Sequence, residues 1–69
     1  MRFCERPLTD RERQCLSCAA HGLTAKGAAQ ALGISEGSAR GYLKLARLKL
    51  HAASTTEAVR IAMQRKEIR

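Results

Sequence analysis

The sequence predicts an all-α fold, a bundle of four short helices, on three observations. Apolar residues recur at helical spacing in four separate stretches. Each stretch opens on a hydroxyl residue, Thr9, Thr24, Ser35 or Ser54, of the kind that caps a helix N-terminus. Strand signals are nearly absent, because β-branched residues never alternate over a useful length. A chain of 69 residues holds one small core. With 45% hydrophobic but only 3% aromatic residues, that core must be built from Leu, Ala, Ile and Val.

The first helix is expected over about 10–21, after an N-terminal arm of residues 1–7. Thr9 and Glu12 have capping-box spacing, and Asp10 and Glu12 put negative charge at the positive end of the helix dipole. Apolar positions 15, 16, 19 and 23 follow the helical period, and Gly22 is the expected stop. The second helix, about 25–32, is capped by Thr24 and ended by Gly33; Gly27 inside it costs roughly 1 kcal/mol relative to Ala and leaves room for close packing. The third, about 36–50, is capped by Ser35. Its stripe Ala39, Leu43, Ala46 and Leu50 should face the core, with Arg40, Lys44 and Arg47 on another face. Gly37 and Gly41 lie close to that basic face, where bare helix surface suits close approach of a partner. The fourth, about 55–66, opens on a second capping box, Ser54 and Glu57, and carries an apolar edge of Val59, Ala62 and Met63.

The joint "ALGIS" between the second and third helices fits a helix-turn-helix. Gly33 permits the positive φ of a tight turn, Ile34 plugs the core, and Ser35 starts the next helix. In that motif the second helix enters the DNA major groove. Charge agrees: thirteen Lys plus Arg face six Asp plus Glu, a net charge of +7 that favours a polyanionic partner, nucleic acid before an anionic membrane surface. No apolar run approaches the ~20 residues of a membrane span, and "MRFCERPLTD" lacks a signal-peptide core. The expected location is the cytoplasm, on the nucleoid, where thiols stay reduced.

"CLSCAAHG" holds a C-x-x-C pair, Cys15 and Cys18, with His21 three residues on and Cys4 upstream. On a helix these side chains fan around the axis, and structural zinc needs four converging ligands, so core packing is favoured over a metal or redox site. His21 and His51 read as surface or helix-end residues. No Ser/His/Asp set, paired carboxylates or phosphate loop is visible, so no enzymatic activity, cofactor, metal or small-molecule ligand is expected.

From Leu8 to about Met63 the chain resembles, without a gap, the LuxR/GerE-type DNA-binding domain of bacterial transcription regulators. The resemblance rests on Leu8-Thr9 then Arg11-Glu12, Gly22-Leu23-Thr24 then Lys26, Leu32-Gly33-Ile34-Ser35, Lys49-Leu50 and Thr56-Glu57-Ala58-Val59, in that order and spacing. It implies that residues 8–69 form a helix-turn-helix domain whose third helix reads double-stranded DNA. Arg40 and Lys44 then fall where the family reaches base edges. Thr24, Lys26 and Lys49 match positions near the phosphate backbone, and Ser38 replaces the usual Thr. The helix starts at Thr24 and Ser35 also offer N–H groups to phosphate. Ser35, Gly37, Ser38, Gly41 and Arg47 complete the groove-facing set. The fourth helix, through Val59, Ala62 and Met63, is the expected homodimer contact, on inverted-repeat sites about 34 Å apart. The departures are Ala39-Arg40-Gly41-Tyr42, Gly27-Ala28, Ala46, and apolar Leu45 and Leu48 at usually polar positions. Gly37, Gly41 and the small core motivate a second expectation, an interaction module or anti-activator that keeps the fold and pairs with a larger regulator of this type through the fourth helix or the Leu45/Leu48 surface.

Overall fold

A computed structural model describes residues 8–68, in which the all-α reading holds. The helices are α1 (Asp10–Ala20), α2 (Ala25–Leu32), α3 (Glu36–Lys49) and α4 (Thr55–Gln64), with no strand among the described residues. The arm expected over residues 1–7, with Cys4, lies outside the described residues.

Every helix starts on the expected hydroxyl. Thr9 Oγ1 accepts from the Glu12 N–H at 3.2 Å, and Glu12 Oε1 accepts from the Thr9 N–H at 2.9 Å, a complete capping box. Thr24 accepts from the Gly27 N–H and Ser35 from the Ser38 N–H. The expected capping box at α4 is only half made. Ser54 accepts from the Glu57 N–H at 3.1 Å, but Glu57 Oε1 accepts from the Ala53 N–H, one residue early. Ser54 stands at φ −149°, against −74° to −76° at the other three caps, so the preceding amide is the one in reach.

All four helices stop in one geometry. A residue at positive φ follows the last turn, and the next N–H closes back onto a carbonyl five residues earlier. The pairs are Gly22 with Leu23 N–H to Cys18 O, Gly33 with Ile34 N–H to Ala29 O, His51 with Ala52 N–H to Arg47 O, and Lys66 with Glu67 N–H to Ala62 O. Two stops are the expected glycines. His51 and Lys66 adopt left-handed backbone with side chains, at φ 56° and 61°. For this reason α3 and α4 end at Lys49 and Gln64 rather than at 50 and 66.

The core has two lobes. Under the helix-turn-helix, Cys15, Ala29 and Ala39 are buried, with Ala25, Leu32, Ile34 and Tyr42 against them. The larger lobe joins α1, α3 and α4 through Leu16, Ala46, Leu50, Ala58 and Ala62, closed by Leu8 and Ile68 from the two ends. Leu43 touches both lobes. The stripe read from the sequence thus faces inward, and Ile34 and Cys15 sit in the core as expected. Helices α1 and α3 each pack on all the others, whereas α2 and α4 do not meet. Gly27 does not admit a neighbouring helix: a Cβ there would lie 3.4 Å from Leu23 Cβ, in the segment just before its own helix.

Among the described residues, one ion pair crosses the interior. Lys49 Nζ donates to Glu12 Oε1 at 2.8 Å, with the side chains 10% and 3% exposed. Glu12 therefore caps its own helix and ties α1 to the end of α3.

Candidate nucleic-acid interface

Helix α3 presents its core stripe to α1, α2 and α4, so the basic flank turns outward. Arg40 and Lys44, one turn apart, are exposed, and Arg47 is half-buried on the same flank. These three line one open groove with Leu23 and Thr24 before α2, Leu43, and Thr55 at the start of α4. The fold thus brings Thr24, Arg40, Lys44 and Arg47 onto a single concave surface. Lys26, Ser35, Gly37, Ser38 and Gly41 are near it in sequence and solvent-accessible, but do not line it.

The N-terminal turn of α3 is held by its own side chains. Ser35 Oγ accepts from the Ser38 N–H at 3.0 Å and donates to Ser38 Oγ at 2.9 Å. Arg40 Nη2 donates to Glu36 Oε2 at 2.6 Å, one turn back. Glu36 is the charged residue at this surface that the family pattern did not point to; its i, i+4 spacing to Arg40 is the signal that finds it. Lys26, Lys44 and Arg47 make no ion pair among the described residues.

Gly37 and Gly41 lie on the outermost face of α3, and a Cβ at either would meet nothing within 4 Å. Nothing among the described residues requires these glycines. Leu45 and Leu48 continue that face at 43% and 45% exposure, so they are surface residues.

Three sequence expectations are corrected. Lys49, expected at the phosphate backbone, is buried against Glu12 with its ammonium turned inward, because it caps the α1–α3 contact. Ala62, expected at a dimer contact, is fully buried on the core side of α4; Val59 is half-buried and Met63 51% exposed, so only these two reach the outer edge. Leu23, placed in the first helix's apolar series, is 43% exposed, because the chain turns at Gly22 and lifts it onto the groove rim.

The cysteines divide. Cys15 is fully buried, and burial first, then the neighbouring Cys18, pushes its thiol above the ordinary 9.0. Cys18 is only half-buried, which departs from the expectation that both thiols are enclosed. His21 and His51 are exposed at helix ends; His21 Nδ1 lies 2.8 Å from the Ser17 carbonyl. No helix among the described residues is long and apolar enough to cross a membrane.

The model of the luxR family of bacterial regulatory proteins matches residues 6–62. The chain is similar to the uncharacterised transcriptional regulatory protein YvfU of Bacillus subtilis (strain 168). The two are 41% identical over 61 residues, which cover 88% of this chain and 30% of that protein. The matched region contains all of α1, α2 and α3, the turn at Gly33 and the basic flank of α3. The chain belongs to the luxR family of bacterial regulatory proteins.

Proposed function

We propose that residues 8–69 act as the DNA-binding unit of a transcriptional regulator, with α3 in the major groove of double-stranded DNA. The observation that carries this reading is the outward basic flank of α3, where Arg40 and Lys44 stand one turn apart beside the start of α2. Both side chains donate to guanine O6 and N7. Thr24, Lys26, Ser35, Ser38 and Arg47 serve the phosphates, and the bare faces of Gly37 and Gly41 let the helix backbone sit deep in the groove. Two copies pair through Val59 and Met63 on inverted half-sites. Selection of bound sequences from a random duplex pool tests this. A common half-site, in inverted repeat, is the expected result; a pool that stays random contradicts it.

A second reading is favoured by one observation, the exposed Leu45 and Leu48 on α3. They offer an apolar surface through which the chain pairs with a larger regulator of its own family and withholds it from DNA. A pull-down with such regulators, run beside the selection, separates the two: capture without DNA selection favours this second reading.

A further inference from the structure

A carboxylate at the DNA-facing end of α3 is unexpected. The first turn of a helix attracts phosphate, and Glu36, 42% exposed there, repels it. Its position also favours the helix through the macrodipole, but many residues at that position would hold a helix whose N-cap hydrogen bonds are already made by Ser35. What distinguishes Glu36 is its bond to Arg40, 2.6 Å from Oε2 to Nη2.

That bond changes what Arg40 does. An arginine without an acidic neighbour on a basic surface serves phosphates readily, since that attraction needs no direction. Paired with Glu36, Arg40 carries a negative neighbour that weakens its pull toward phosphate, an effect moderated by solvent because the side chains are 70% and 42% exposed. The guanidinium has five donors in a rigid fork, and Glu36 engages it at Nη2, so donors remain on the planar group for the O6 and N7 acceptors of guanine. Lys44, one turn on, makes no ion pair among the described residues and keeps its full charge. The two residues of the proposed reading face are therefore set up differently, one steered and one unsteered.

We propose that Glu36 is a positioning residue that makes Arg40 a base reader and not a phosphate binder, so that specificity at one guanine depends on the Glu36–Arg40 pair. The inference rests on the reading of α3 as the recognition helix. Glu36 contributes by discrimination: it lowers affinity for every duplex by its charge and lowers it least where Arg40 meets guanine.

The test is a double-mutant cycle on DNA binding. The wild-type chain, Glu36→Ala, Arg40→Ala and the double variant are titrated by fluorescence anisotropy against the duplex selected by the wild type and a scrambled duplex, at several salt concentrations. Helical circular dichroism confirms that each variant is folded. In Glu36→Ala, affinity for the scrambled duplex rises, and its log–log salt slope steepens by about 0.9, one further phosphate contact. Its ratio of specific to scrambled affinity falls about tenfold, within the range set by one bidentate base contact. With Arg40 already replaced, removing Glu36 leaves that ratio unchanged. If Glu36→Ala shifts both duplexes by one factor, the carboxylate acts only as bulk charge and the proposal is overturned. The same holds if the ratio falls equally without Arg40. If the wild-type chain shows no preference between duplexes, the recognition-helix reading itself fails, and a positioning role for Glu36 falls with it.

Discussion

At the scale of single residues, Lys49 changes role between sequence and fold. Lys49 sits where the family pattern and the net charge both suggest a phosphate contact. Its register on α3 instead points it across the interior to Glu12. A buried pair of this kind is costly to break from one side, because a charge-assisted hydrogen bond across the interior is lost and the remaining buried charge keeps only part of its compensation. Glu12→Gln is expected to lower unfolding free energy by about 3 kcal/mol, and replacing Glu12 and Lys49 together by Leu and Met to cost clearly less. Urea denaturation of the wild type, Glu12→Gln and the double replacement checks this; a double replacement that loses as much as Glu12→Gln, or more, would contradict it. The cysteines follow the same logic of register. Cys15 faces the core and Cys18, three residues on, stands at its margin. Iodoacetamide under native conditions should modify Cys18 well before Cys15, read by peptide mass spectrometry. The raised thiol of Cys15 also sets a sign. The unfolded thiol ionises near 9.0 and the folded one higher, so its contribution to stability is whole below pH 9.0 and is lost as pH rises through the folded value.

At the scale of the element, starts were more legible than stops. A hydroxyl followed by a helical apolar pattern marks an N-terminus directly, and all four hydroxyls cap their helices, although the capping box expected at Ser54 is only half made. A glycine stop is equally plain, as at Gly22 and Gly33. His51 and Lys66 carry no such mark, since left-handed backbone with a Cβ is unfavourable and is imposed here by the hydrogen bonds that close the turn. His51→Gly should therefore raise stability by about 1 kcal/mol, seen as a melting temperature roughly 4–8 °C higher. The glycines of α3 make the opposite case. Gly37→Ala and Gly41→Ala meet open space, so each should stabilise the helix by about 1 kcal/mol. If the bare surface serves close approach to the groove, the same changes weaken DNA binding. Gains in both stability and affinity would remove that role from the glycines.

At the scale of the whole molecule, one helix divides the work. The inner stripe of α3 joins the two lobes of the core, and its basic flank lies on the groove beside the start of α2. The class, the helix order and the placement of Arg40, Lys44 and Arg47 were readable because each rests on a period of 3.6 residues, and that period survives folding. The burial of Ala62 and Lys49 and the lifting of Leu23 were not, because a period gives a direction around one helix and not what stands opposite it. The role of Glu36 is not legible in the sequence for a related reason: a first-turn acid is explained by the helix alone, and only its contact with Arg40 gives it further meaning. The decisive measurement is the affinity of Arg40→Ala for the selected duplex and for its scrambled form, at fixed salt. The expected result is a loss of about 1–3 kcal/mol on the selected duplex, a much smaller change on the scrambled one, and relaxed preference at one base pair. An equal loss on both duplexes, or none on either, would contradict it.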